Sequence, residues 1–194
     1  MDKFILAAST VTEADLASAR LGNRFGRLDL ASQLSLLAVE SLNLNFDAWP
    51  RERIAIVLTA RAGSLSTDVD YWNGREAAGG PSPTLFAYTL PSAAIGEIAI
   101  RHRITGPNLC FVGPSDGAVD EAAELLSRGE ADACLCISNN VVTPALGALI
   151  GAPSAACASA LFLAPNGPGL PLAGQIRRDI ESLCLIFQSG KTAT

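Results

Sequence analysis

At 194 residues, 49% of them apolar, the chain is long enough to bury one substantial core and short enough to form a single domain over 1–194. A formal charge of -5 with no Lys/Arg cluster excludes a nucleic-acid surface, and the sparse aromatic residues exclude a base-stacking platform. The five cysteines, Cys110, Cys134, Cys136, Cys157 and Cys184, are odd in number, sit in apolar runs and lack CxxC spacing. That pattern fits free thiols in a reducing cytoplasm better than a disulfide framework or a zinc site, and no metal or cofactor is expected.

In chain order, strand and helix signals alternate. The apolar patch Phe4 to Ala8 is too short for a signal peptide and reads as a first strand. Asp29 is an N-cap for a helix with Leu30, Leu34, Leu37, Ala38, Ser41 and Leu42 at helical spacing. Trp49-Pro50 ends it, and Arg53 to Ala60 (RIAIVLTA) reads as a buried strand. A polar loop then leads into Asp68 to Glu76, an amphipathic turn with Tyr71 and Trp72, and GGPSP at Gly79 to Pro83 is a loop, not a linker. A second helix starts at Pro91 and puts Ile95, Ile98, Ala99 and His102 on one face. Leu109 to Val112 is a strand; Gly113-Pro114 turns it into a helix with Ala118, Val119, Ala122, Leu125 and Leu126 inward, which Gly129 stops before a strand at Ala131 to Ser138.

The run Val141 to Ala164 carries no charge, yet Pro144, Gly147, Gly151 and Pro153 interrupt it. It reads as a turn, a short helix and a buried strand at Ala155 to Leu163, not a membrane span. Asn166 to Gly169 is a turn, Gly174 to Phe187 a last strand pair or extended strand with Arg177, Arg178 and Asp179 exposed, and Ser189 to Thr194 a frayed, disordered tail.

The corner after Leu109 to Val112 reads Pro114, Ser115, Asp116, Gly117. A nucleophile belongs there in an enzyme of this topology, and no cysteine stands at it. His102 is either the one available general base or a last-turn histidine satisfied by helix carbonyls, with Arg101 and Arg103 beside it as a cationic helix end. Cys134 and Cys136, two apart in a strand, face the same side and read as packing.

The succession SPTLFAYTLPSAAIGEIAIRHRITGPN, a strand and corner, then AAELLSRGEADACLC resembles the first half of a β-ketoacyl synthase, of the thiolase-like superfamily, and more narrowly the short stand-alone ketosynthase-like N-terminal proteins. Pro91, Gly96, Ala99 and Gly106-Pro107 match the helix and turn before that family's nucleophile strand; Gly129, Ala131 and Asp132 match the step after the next helix. The helix Leu30 to Leu42 followed by RIAIVLTARAG resembles the elements before the first active-site loop, so the likeness covers most of residues 25 to 165.

The resemblance implies an α/β fold, a thiolase-like half with a mixed, mostly parallel five-stranded sheet covered by helices. It also exposes departures. The family's nucleophile cysteine belongs at the corner, where helix N–H groups activate it; here the corner is VGPSDG, and Cys110 lies earlier, inside the strand. Asp116, Asp120 and Glu121 put carboxylates at the helix start, which stabilise the helix and would raise the pKa of a neighbouring thiol. The second half, with its catalytic histidines, has no counterpart in this sequence, and one half alone should leave an apolar helix face for a partner to cover.

The resemblance therefore implies a non-catalytic ketosynthase-like subunit of a fatty-acid, polyketide or aryl-polyene-type pathway. Such a subunit acts as partner, scaffold or chain-length determinant, as a homodimer or with a complete ketosynthase, on chains carried by acyl carrier protein. Leu109 to Val112 falls near the family's dimer edge. Ser115, Asp116 and Gly117 would line the vestigial pocket with Asn139 and Asn140; plain helix capping by Ser115 and Asp116, and a turn at Asn139-Asn140, are the alternative readings. Two other functions stay open: an acyltransferase or hydrolase using Cys110 or Ser115 with His102, and a small-molecule binding module.

Overall fold

The computed structural model describes residues 2–22, 24–76, 79–114, 116–151, 153–165, 167–172 and 179–191, without the side chains of residues 116, 190 and 191. Its strands are β1 (Lys3–Thr12), β2 (Ile54–Ala60), β3 (Asn108–Val112), β4 (Ala133–Val142), β5 (Ala155–Pro165) and the two-residue β6 (Leu170–Pro171). Its helices are α1 (Glu13–Leu16), α2 (Leu30–Glu40), α3 (Leu65–Gly74), α4 (Pro83–Phe86), α5 (Ala93–His102), α6 (Asp116–Ser127), α7 (Pro144–Ile150) and α8 (Ile180–Lys191), with 3-10 turns at Phe25–Arg27, Phe46–Ala48 and Arg51–Arg53.

One sheet runs in the order β3-β2-β4-β5-β1-β6. β2 pairs in parallel with both β3 and β4, while β5 is antiparallel to β4 and to β1. Among the five long strands only β5 is therefore reversed, which gives the mixed, mostly parallel sheet expected, with β6 added at one edge. β3 and β4 are parallel strands joined by α6, but the crossover passes over β2, so the two are not neighbours.

Alternation along the strands splits the core into two layers. Ile54, Ile56 and Leu58 of β2 join Leu135, Ile137 and Phe162 against α2 and α5. Ala55 and Val57 join Cys134, Cys136, Leu161 and Leu163 against α6 and α8. α2 forms where the Asp29 cap and apolar spacing place it: Asp29 Oδ1 accepts the Ser32 N–H at 3.0 Å, and Asp29 Oδ2 accepts the Thr67 hydroxyl at 2.8 Å.

Four expectations need correction. Gly174 to Phe187 is not a strand as far as it is described: Asp179 accepts the Ser182 N–H at 2.6 Å and opens α8, whose Ile180, Leu183, Cys184 and Phe187 recur at helical spacing on the buried side. Residues 173–178 lie outside the described residues, as do 192–194 of the expected tail, whereas Ser189 to Lys191 belong to α8. Asp68 to Glu76 is mostly helix, the end of α3, which is anchored by the Ser66 hydroxyl donating to Val141 O at 2.9 Å. Asn139 and Asn140 form no turn; they lie inside β4, which continues to Val142.

The β3 register depends on Gly106-Pro107. Pro107 O accepts Ile56 N–H at 2.9 Å and Arg51 O accepts Thr105 N–H at 3.0 Å, which presses Gly106 so close to β2 that a Cβ there would lie 2.2 Å from Ile54 O. Backbone cannot yield to that contact cheaply. Gly106→Ala is expected to destabilise the fold by about 2–4 kcal/mol, measured as a lowered urea midpoint, whereas Gly96→Ala on α5, where a Cβ meets nothing within 4 Å, is expected to stabilise it by up to about 1 kcal/mol.

Candidate functional site

The corner is built by β3 and α6. Gly113 takes a φ of 135°, a conformation open to glycine, and donates its N–H to Ala60 O at 3.1 Å, so the chain leaves β3 pinned to the end of β2. Ser115 lies outside the described residues; Asp116 opens α6, and Gly117 follows it on the exposed surface. Cys110 is in β3, paired with Leu58, and packs toward the α2/α5 layer, with burial pushing its thiol pKa up. It is held as a protonated thiol on the side of the sheet away from α6.

The two asparagines point to opposite faces. Asn139 is buried and its Nδ2 donates to Ser35 Oγ on α2 at 3.1 Å, which ties that helix to the sheet. Its carbonyl accepts Arg61 N–H at 3.0 Å. Asn140 is half-buried on the α6/α8 side, opposite Cys157. Of the residues expected to line a pocket, Ser115, Asp116, Gly117, Asn139 and Asn140, Asn139 turns to the α2 side and Asn140 to the side of α6.

A different polar feature occupies that face. Thr59 is in register with Ser138, Ser138 with Ser159, and Ser159 with Thr10, so four hydroxyls cross four adjacent strands in one row of about 15 Å. Thr59 donates to Ile137 O at 3.2 Å, the Thr10 and Ser159 hydroxyls lie 2.9 Å apart, and Ser138 donates to Glu181 Oε1 of α8 at 2.5 Å. Cys184 of α8 donates to Ser9 O at 3.3 Å, and burial pushes its thiol up to about 11. In the next row outward, burial and then the Glu181 charge raise the Cys157 pKa, with Arg61 opposing them. The row lies at the end of the sheet where β2 and β4 finish and α6 begins, the usual ligand side of parallel strands. Sequence reasoning missed it; its one signal is a hydroxyl interrupting each apolar run, single in VLTA, CIS and ASA and doubled in AST.

His102 is elsewhere. It closes α5, which feeds the start of β3, so the length of β3, roughly 16 Å, separates its end of the sheet from the corner. Its ring packs edge-on against Phe46 with centroids 4.9 Å apart, and Nε2 lies 3.5 Å from Glu40 Oε1. Burial is the main cause that lowers its pKa; the Glu40 charge works against that, and Arg101 and Arg51 work with it. Among the described residues no group of three or more His, Cys, Asp or Glu is placed to hold a metal ion, and no helix is long and apolar enough to cross a membrane.

This three-layer α/β/α domain, with one reversed strand and a helix launched from the β3 corner, shares its fold with solved ketosynthase structures. Among solved structures it is similar to the ishigamide ketosynthase/chain length factor, with a TM-score of 0.71 and 19% identity over 89% of this chain and 65% of that one. It is similar too to the ketosynthase (ApeO) in complex with its chain length factor (ApeC) from Xenorhabdus doucetiae, with a TM-score of 0.63 and 19% identity over 86% of this chain and 80% of that one. A third is a β-ketoacyl synthase from Burkholderia phymatum STM815, with a TM-score of 0.62 and 11% identity over 85% and 59%. The chain thus spans just under two thirds of the first of these chains. No protein-family profile matches the sequence, and neither does any curated protein.

The His102 shift fixes a pH dependence. An unfolded histidine titrates near 6.5 and the folded one lower, so the unfolded chain takes up the proton first. Stability present above pH 6.5 is lost as pH falls through the folded value. Urea unfolding at pH 7.5, 6.5 and 5.5 is expected to show a loss of up to roughly 1 kcal/mol per pH unit in the lower step, and His102→Phe is expected to flatten it.

Proposed function

We propose that the chain is a non-catalytic ketosynthase-like subunit of a fatty-acid, polyketide or aryl-polyene-type pathway. It pairs with a complete ketosynthase and shapes the space for acyl chains delivered on acyl carrier protein. The observation that carries this reading is the corner itself: the framework of a nucleophile turn is kept, while its nearest thiol, Cys110, faces the other side of the sheet with a raised pKa. Thiolate is the reactive form, so burial works against acyl transfer at this position. The reading draws support from fold neighbours that include a ketosynthase in complex with its chain length factor and a type II acyl-carrier protein in complex with its ketosynthase.

The partner belongs on the β3 edge. β3 ends the sheet and its outer backbone groups have no strand beside them, with Val112 66% and Phe111 39% exposed. Exposed Leu65, Phe86 and Leu90 lie on the chain that connects β2 with α5, and Val112 and Pro91 both approach Gly63.

An acyltransferase or hydrolase with His102 as base would need the imidazole at the corner. His102 instead packs on Phe46 at the opposite end of β3. Two measurements test the proposal. Co-expression with a complete ketosynthase is expected to give a complex stable to size exclusion at micromolar concentration, weakened at least tenfold by Val112→Asp; a chain that stays monomeric beside each ketosynthase offered would sink the partner reading. Incubation with an acyl-thioester is expected to leave the intact mass unchanged, and a stoichiometric adduct abolished by Cys110→Ala or Ser115→Ala would show a working nucleophile.

A further inference from the structure

The segment that joins α2 to β2 is tied to the molecule by apolar contact and not by hydrogen bonds. α2 stops at Glu40, the chain turns through Asn43 in a left-handed conformation (φ 51°), and the turn Phe46–Ala48 follows. Among the described residues every hydrogen bond of residues 42–49 ends no more than four positions away. Leu42 and Asn43 donate their N–H groups to Val39 O and Glu40 O, Asp47 donates its own to Asn45 Oδ1 and Trp49 to Phe46 O, and Arg51 donates to Asp47 Oδ1. The rings of Phe46 and Trp49 meet Phe162 of β5 edge-on, with centroids 5.5 and 4.8 Å away. A segment held in this way can open while the strands beneath it stay paired.

Two side chains that pack on the Phe46 ring each have a buried nitrogen without a hydrogen-bond partner among the described residues. One is Nε2 of His102, whose ring meets Phe46 edge-on with centroids 4.9 Å apart; the other is Nη1 of Arg51, whose guanidinium carbon lies 5.9 Å from the Phe46 centroid. The closed turn therefore carries their desolvation cost, and a proton on the imidazole raises it, because a buried cation must be hydrated or paired. The charges that face the His102 ring are Glu40 from α2, Arg51 from the turn before β2 and Arg101 from α5 itself, with Asp47 of the Phe46–Ala48 turn held by Arg51. Arg101 Nε already holds Glu40 Oε1, and that same oxygen lies 3.5 Å from His102 Nε2, too far for a charge-assisted hydrogen bond. Space for water lies alongside, in a pocket of about 390 Å³ lined by Glu40, His102 and, from the segment itself, Asn43, Leu44, Asn45 and Phe46.

We propose that His102 is a proton-operated latch on this segment: the neutral imidazole seats Phe46, and the imidazolium releases residues 42–49, so that water from the pocket hydrates the ring while β2, β4 and β5 stay paired. The histidine of the closed turn titrates below 6.5 and the hydrated one of the open turn near it, so the open form takes up the proton first. Opening then becomes up to tenfold more frequent per pH unit as pH falls between the two values. It is a local event, distinct from the loss of global stability in acid. The inference is independent of the partner reading, since it uses none of the residues at the corner or the β3 edge.

His102 is the one histidine in the sequence, so its imidazole resonances are unambiguous in the intact chain. The test is amide hydrogen exchange of that chain by NMR, followed from about pH 7.5 to 5.5 across the histidine range, corrected for the intrinsic pH dependence of exchange and set beside the titration of the ring in the same samples. The N–H groups of Asn43 and Trp49, bonded inside the segment, are expected to exchange faster than those of Ile56 in β2 and Leu135 in β4 at every pH, and to accelerate up to tenfold per pH unit as the ring gains its proton. His102→Gln is expected to fold and to remove the acceleration. Equal protection of segment and sheet amides, the mark of exchange through global unfolding alone, would overturn the latch. So would segment amides whose exchange stays flat across the titration of the ring, as when Glu40 takes the Nε2 proton without any opening, and so would an acceleration that survives in folded His102→Gln.

Discussion

All seven residues of β2 are buried, and the strand is bonded in parallel on both sides, to β3 through the Gly106-Pro107 turn and to β4 directly. A strand in that position must be apolar toward both helix layers, which is why Ile54–Leu58 is an unbroken apolar run with β-branched residues and not an alternating one. Its two faces then dictate the rest: Ile54, Ile56 and Leu58 set the surface that α2 and α5 must cover, and Ala55 and Val57, being smaller, let α6 come in on the other side. The β3 corner, the edge beyond it and the hydroxyl row all take their positions from this strand.

The division of labour between the two ends of the sheet follows from where polar groups interrupt the apolar strands. At the finishing end of β2 and β4 the row of Thr59, Ser138, Ser159 and Thr10 is bonded to itself, to strand carbonyls and to Glu181, so the seat of α8 is partly polar. At the starting end the polar groups come from helix termini and turns, and two of their nitrogens, Nε2 of His102 and Nη1 of Arg51, have no hydrogen-bond partner among the described residues. The corner holds neither an activated thiol nor an imidazole. Among the described residues no strand lies beyond β3, so the sheet is open on the side nearest the corner.

Much of this was legible in the sequence because single features decide it. Asp29 and the leucine spacing define α2, the RIAIVLTA run defines β2, and Pro144, Gly151 and Pro153 break an uncharged stretch into α7 and β5. The errors have physical causes. Asp179 after two arginines reads as a polar strand position until its carboxylate is seen to cap Ser182; the apolar residues that follow serve a buried helix as well as a strand. Asn139 and Asn140 look like a turn, yet the Ser35 hydroxyl on α2 satisfies the one that points inward, and β4 runs on past them. The hydroxyl row was invisible because it is a property of register: four residues far apart in sequence meet only when four strands align.

The reversal of β5 has a consequence for how the molecule is made. β1 is bonded along its length to β5, and the Thr10–Ser159 contact joins residues 149 positions apart. During synthesis from the amino terminus, β1 emerges first and has no strand to pair with until β5 has left the ribosome. The inner β2-β3 and β2-β4 pairs close over shorter loops and can form earlier. Lys3–Thr12 therefore finds its partner strand only late, and closure of the sheet is a long-range event.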